Sequence, residues 1–155
     1  APNQILDMTK SIVVDEFSKN EDVRDGMDIA LCALSGNKLY FSGANNPLWL
    51  VRKGVLTAYK PDKQPVGKYE INNPFTNYEI ELQKNDMIYI FSDGFADQFG
   101  GEKGKKYMAG KFKKLLISIS ELTPQKQRVA LEKEFKEWKG NQEQIDDVCV
   151  IGMRR

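Results

Sequence analysis

The chain has 155 residues, enough for one hydrophobic core and too few for two comfortable domains. Its 23 basic and 22 acidic residues leave a formal charge of +1, which recommends neither nucleic acid nor an anionic membrane as a partner. There is no histidine, which excludes a Ser-His nucleophile; no apolar run approaches the roughly 18 residues of a spanning helix, and the start lacks a signal-peptide pattern.

These features fit a cytoplasmic domain. The two cysteines, Cys32 and Cys149, sit in strand-like apolar runs and read as buried reduced thiols. With Asn3 as a possible N-cap, a helix is expected to about residue 19, and Ile5, Leu6, Thr9, Ile12, Val13 and Phe17 share one face at spacings of three and four. A polar loop over 20–26 follows, then a strand over 27–34 that is apolar on both faces except at Asp28. Gly36-Asn37 supplies a tight hairpin, so that 39–42 returns antiparallel.

Asn45-Asn46-Pro47 makes a turn, 48–51 the next strand, and Lys53-Gly54 the turn into 55–59, which reads as a meander. Pro61, Pro65, Gly67 and Pro74 punctuate an irregular segment, and 75–82 and 87–91 are expected to pair as strands joined at Lys84-Asn85-Asp86. The Gly- and Lys-rich stretch 98–107 reads as a flexible flap. Lys103, Lys105, Lys106, Lys111, Lys113 and Lys114 form the one charge cluster, either a solvated helix start or a means of steering a phosphoprotein. Phe112, Leu115, Leu116 and Ile119 mark an amphipathic helix. Thr123-Pro124 starts another, with Leu131, Phe135 and Trp138 as its stripe and Gly140 as its end. The sum is one α/β unit of antiparallel strands with helices outside.

The chemistry gathers at two acidic turns. Met87 to Phe91 are apolar or aromatic, as in a strand covered on both faces, and Ser92-Asp93-Gly94 follows at once, so a carboxylate is held at the rigid end of a core strand. Asp146-Asp147 stands just before a second apolar run, 148–152. Two strands of one sheet can bring such carboxylates together, and adjacent carboxylates repel unless a cation neutralises them. Magnesium or manganese is the natural occupant. A helix-loop-helix calcium site is excluded, because a loop from Asp93 would put Phe95 third and Gly104 twelfth, where oxygen ligands are needed.

Phe91-Ser92-Asp93-Gly94-Phe95 and Ile145-Asp146-Asp147-Val148-Cys149-Val150-Ile151 resemble the Ser/Thr-Asp-Gly motif and the closing Asp-Asp strand of PPM-type (type 2C) metal-dependent protein phosphatases. The resemblance is nearer to their bacterial branch, the sporulation stage II E-like and sigma-factor-regulating serine phosphatases. Asp25-Gly26-Met27-Asp28-Ile29-Ala30-Leu31, Ser42-Gly43-Ala44-Asn45-Asn46-Pro47 and Gln64-Pro65-Val66-Gly67 fit it in order. It implies an α+β fold, an antiparallel β-sandwich flanked by helices, and two manganese or magnesium ions that activate water for in-line attack on phosphoserine. Asp93, Gly94 and Asp146 would make the metal site, with Asp147 as alternate or supporting acid, and Asp28 is either near the metal or a strand-end acid facing water.

The resemblance also places an earlier metal motif, an Asp followed by Gly-His-Gly, upstream of the opening helix. A chain without histidine has no counterpart to it. Residues 1–155 are therefore expected to form a single partial domain lacking its N-terminal strands, weak in metal binding, and prone to homodimerise through uncovered surface. The implied substrate is a small phosphorylated regulator of the anti-anti-sigma type, and an upstream sensory module is implied in the full chain. The competing reading is a non-catalytic phosphatase-like interaction domain.

Overall fold

A computed structural model describes residues 1–17, 26–70 and 73–155. In order the elements are α1 (Pro2–Phe17), β1 (Gly26–Met27), β2 (Ile29–Ser35), β3 (Lys38–Ala44), β4 (Leu48–Arg52), β5 (Val55–Tyr59), β6 (Val66–Gly67), β7 (Tyr78–Glu81) and β8 (Met87–Phe91). There follow α2 (Gly94–Asp97), β9 (Phe99–Gly100), β10 (Lys105–Lys106), α3 (Ala109–Ile119), α4 (Pro124–Lys139) and β11 (Val150–Arg154). The expected loop over 20–26, apart from Gly26, and Asp25 of the third motif lie outside the described residues, as does the side chain of Phe17. The ladders β1–β6, β2–β3, β3–β7, β8–β11 and β9–β10 are antiparallel, and with the four helices among the described residues they give the expected α+β class. Two compact units divide the chain: Ala1–Leu48 with Ala58–Lys84, and Trp49–Thr57 with Asn85–Arg155.

In the first unit a three-stranded sheet runs in the order β2-β3-β7. Gly36 takes φ +62° at the β2–β3 turn, and the hairpin closes with Ser35 opposite Lys38. Leu6 of α1, Ala44, Val66 and Phe75 make the buried core, with Ile29 and Leu31 packed against it. The buried face of α1 is Pro2, Leu6 and Lys10, one residue per turn, whereas Ile5, Met8 and Ile12 are more than half exposed. That differs from the face expected from apolar spacing. A lysine takes the place of an apolar residue because its ammonium finds a partner: Lys10 Nζ donates to Gln64 Oε1 at 2.8 Å and lies 5.7 Å from the Phe75 ring centre. Burial lowers the pKa of Lys10, against the opposing charge of Asp7.

The strand expected over 27–34 is broken at Asp28, and its second half is an edge strand with Leu34 exposed rather than covered on both faces.

The second unit holds the sheet β11-β8-β4-β5. Trp49 and Val51 of β4, Met87 and Tyr89 of β8, Phe95, Tyr107, and Phe112, Leu116 and Ile119 of α3 form its core. Aromatic rings dominate this core, with Phe95 stacked on Phe112 at 4.5 Å and Trp49 edge-on to Phe91 at 4.4 Å. Thr123 caps α4, accepting from Lys126 N, and Pro124 occupies the first turn as expected. Gln127 is the one fully buried residue of α4; it accepts from Tyr89 Oη at 2.7 Å and donates to the Leu122 carbonyl at 2.9 Å. That carbonyl and Ser120 O also accept from Arg154, so the end of α3 is capped by side chains from two other elements.

Strands 75–82 and 87–91 do not pair with each other. The first shortens to β7 and joins β3, and the second joins β4 and β11. Asn85, at φ +70°, redirects the chain, and Asp86, 1 % exposed, is held by Arg52 of β4 through Nε at 2.8 Å and Nη2 at 2.6 Å. This bidentate pair ties the start of β8 to β4 rather than to β7. The meander is interrupted for a related reason: β3 and β4, on either side of the Asn45 turn, belong to different sheets.

The stretch expected to be a flap is a docked hairpin, β9–β10. Gly101 N donates to the Trp138 carbonyl at 2.8 Å, Trp138 Nε1 donates to Gln98 O at 3.0 Å, and a Cβ on Gly100 would overlap the Trp138 backbone. Both cysteines are free thiols, but neither is fully buried as expected: Cys32 is half-buried and Cys149 is exposed.

Candidate metal centre

The two acidic turns meet because β8 and β11 are ladder partners. Their register runs from Met87 opposite Arg154 to Phe91 opposite Val150, and it extends one rung further through Ser92 N to Cys149 O at 3.0 Å. The residues just beyond, Asp93-Gly94 on one side and Asp146-Asp147 on the other, are thereby brought to one end of the sheet despite lying more than fifty positions apart.

Asp93 stands at the N-cap of the one-turn helix α2. Its backbone is helical, φ −73° and ψ −16°, instead of extended, and its carboxylate makes no capping bond. Gly94 is buried, and its need for glycine is steric. Its φ is not positive; instead its Cα lies against the Asp147 peptide, so that a Cβ would overlap the Asp147 carbonyl oxygen and come within 3.0 Å of the carbonyl carbon. The sharp turn anticipated at Gly94 is thus a close backbone approach.

Across from it, Asp146 accepts from Asp147 N through Oδ1 at 2.7 Å, and its carbonyl accepts from Gln144 Nε2 at 2.9 Å. The Asp147 carbonyl accepts from Ser92 Oγ at 2.8 Å. Asp93, Asp146 and Asp147 are all exposed to solvent.

Asp28 belongs to the first unit, in the break between β1 and β2, where its Oδ1 accepts from Asn45 Nδ2 at 2.8 Å. Asn45 is itself in the left-handed region at φ +57°, so the Ser42–Pro47 motif both turns the chain and engages Asp28. Three of the six lysines of the cluster are engaged with their own unit. Lys111 Nζ lies 3.9 Å from a Trp138 ring centre and 3.5 Å from Glu134, Lys113 lies over Trp49, and Lys106 pairs with Asp97 at 3.2 Å.

Carboxylate oxygens are donors of the right kind for magnesium or manganese. In number they make part of a ligand set: among the described residues no three His, Cys, Asp or Glu side chains gather into a group able to hold a metal ion. Two features of the site were not read from the sequence. The Ser92 hydroxyl bridges the two turns, a role signalled only by a hydroxyl residue placed between an apolar strand and Asp-Gly. The steric demand at Gly94 depends on a partner strand fifty residues away and has no local signal.

The family model for stage II sporulation protein E (SpoIIE) matches residues 1–155. Comparison with curated proteins yields no match. Among solved structures, the chain is similar to the SiaA-PP2C domain of Pseudomonas aeruginosa, with 25% identity and a TM-score of 0.88 over 99% of this chain and 61% of that one. It is similar to the PP2C phosphatase domain, with a fragment of the regulatory domain, of the cell fate determinant SpoIIE from Bacillus subtilis: 18% identity, TM-score 0.70, 94% of this chain and 42% of that one. A third similar structure is the catalytic domain of the serine threonine protein phosphatase PstP in complex with two manganese ions, at 16% identity and TM-score 0.61 over 92% of this chain and 65% of that one. The two below 25% identity speak for the fold. The chain thus spans less than two thirds of the length of each of these structures.

Proposed function

The chain belongs to the stage II sporulation protein E family of PPM-type phosphatases, and from that premise we propose that it forms part of a metal-dependent phosphatase domain acting on phosphoserine in a small regulatory protein. The observation that carries the reading is the junction of the Asp93-Gly94 turn with Asp146-Asp147, built on the β8–β11 ladder and closed by Gly94 against the Asp147 carbonyl. Asp93 and Asp146 would hold the cation, and Asp147 would stand as alternate or supporting acid. The manganese-bound similar structure favours a divalent ion without choosing manganese over magnesium.

A divalent ion bound there supplies a lowered water pKa and neutralises charge on a phosphoryl group. The chain's own residues provide the rest. Asp93, uncommitted to capping α2, presents a carboxylate from the end of a core strand; Asp146 is oriented by its bond from Asp147 N; the missing side chain of Gly94 lets the two turns close. These 155 residues offer no histidine as general base or covalent nucleophile, and on this reading metal-activated water is the nucleophile. Asp28 is a weaker candidate, near the metal only by resemblance.

Phosphate release from a phosphoserine protein by the full-length protein, with manganese supplied, tests the reading. Asp93→Asn and Asp146→Asn should each cut turnover by a factor on the order of a hundred or more while leaving the melting temperature close to wild type. Full activity in either variant with excess manganese refutes the assignment. The second reading is a phosphatase-like domain that binds a partner without catalysis. Retained partner binding with no phosphate release under any metal would support it.

A further inference from the structure

Ser92 sits between the core strand and Asp93, and its hydroxyl does two jobs at once. It accepts from Cys149 N at 3.0 Å and donates to the Asp147 carbonyl at 2.8 Å. A hydroxyl has one donor and two lone pairs, so both bonds are satisfied together. Its own amide continues the β8–β11 ladder to Cys149 O at 3.0 Å. The side chain of Ser92 therefore takes over where main-chain pairing stops, and it grips the 147–149 segment one residue before Asp93. The same Asp147 carbonyl is pressed from a second side by Gly94. Asp146, one peptide back, is tied to that segment through its bond from Asp147 N at 2.7 Å. An unbroken series of short links runs from Asp93 through Ser92 and Asp147 to Asp146.

We propose that Ser92 is a positioning residue for this site: its hydroxyl fixes the spacing between Asp93 and the Asp146-Asp147 pair so that both carboxylates face one cation. The inference rests on the metal-site reading given above and deepens it. Both carboxylates are on exposed turns, and without the bridge the spacing between the two turns would be fixed only when the ion binds, at a cost in affinity. Ser92 is only half-buried, so water can replace its bonds when the hydroxyl is removed and the fold should survive.

The test compares wild type, Ser92→Ala, Ser92→Thr and Asp93→Asn in the intact chain. Amide hydrogen exchange at Cys149 is measured without metal, and manganese affinity by paramagnetic resonance titration of the free ion. Ser92→Ala should speed exchange at Cys149 and weaken manganese binding about tenfold, with unfolding close to wild type, and Ser92→Thr should restore both. Manganese affinity unchanged in Ser92→Ala, or weakened equally in Ser92→Ala and Ser92→Thr, overturns the proposal. Should Ser92→Ala not fold, Ser92→Cys, with its weaker donor, carries the same comparison against Ser92→Thr. A wild type that binds manganese no better than Asp93→Asn sinks the metal-site reading itself, and is distinguishable from a wild type that binds while Ser92→Ala binds equally.

Discussion

Gly94 shows how a single position can be fixed by something far away in the chain. Its backbone would accept any residue, yet a methyl group there meets the Asp147 carbonyl, so Gly94→Ala should push the two turns apart. We expect a loss of about 1 to 3 kcal/mol on denaturant unfolding, with manganese affinity falling alongside. Arg52 is fixed in another way. Removing its guanidinium leaves the buried Asp86 carboxylate without its bidentate partner, and Arg52→Ala should cost about 3 to 5 kcal/mol, with an unchanged m-value showing that the fold itself persists. Cys32 carries a pH dependence. Burial pushes its thiol from 9.0 up to about 11, so the folded chain keeps a proton that the unfolded chain gives up first. Its stabilising contribution is complete below pH 9 and is lost as pH rises through about 11. Burial raises Tyr89 and Tyr107 as well, and they add to the alkaline loss in the same direction. An alkaline titration followed by circular dichroism should show stability falling later in Cys32→Ala than in wild type; coincident curves would remove Cys32 from the account.

At the scale of elements, what was legible in the sequence was local. The Gly36 hairpin, the Lys53-Gly54 turn with both residues at positive φ, the Thr123-Pro124 cap and the buried stripe Phe112, Leu116, Ile119 all follow from residues within a turn or two of one another. What failed depends on partners distant in sequence. Strands 75–82 and 87–91 read as neighbours because only four polar residues, Gln83 to Asp86, separate them, but Arg52 captures Asp86 and β8 joins another sheet. The buried face of α1 escapes apolar spacing because Lys10 counts as polar in any periodicity, although Gln64 and Phe75 give its ammonium a buried place. Glycine and lysine in the β9–β10 hairpin suggest a mobile flap, yet the glycines admit Trp138. Gly100→Ala should therefore undock that hairpin and expose Trp138, read as a red shift in tryptophan emission at unchanged secondary structure; an unshifted spectrum would show that the contact yields without cost. That the strands beside the two acidic turns share one sheet was legible in the sequence, whereas their direct pairing and register were not, since strand order is set by the whole sheet.

For the molecule as a whole, the family match extends over residues 1–155, and the fold agrees with phosphatase domains of much lower sequence identity. Such agreement speaks for the scaffold, while function is decided by side chains at one sheet end. The described residues contribute two acidic turns and no third converging ligand, so cation binding by this chain should be weaker than in a complete two-ion site. The central claim is that one cation sits between Asp93-Gly94 and Asp146-Asp147. Manganese added in small increments to isotope-labelled chain, with broadening read amide by amide, locates the ion directly, because a paramagnetic centre relaxes its nearest protons most. The amides of residues 93–95 and 146–148 should broaden first and together, and Asp93→Asn should abolish the effect. Broadening that begins elsewhere, or that touches one turn and leaves the other sharp, would contradict that claim.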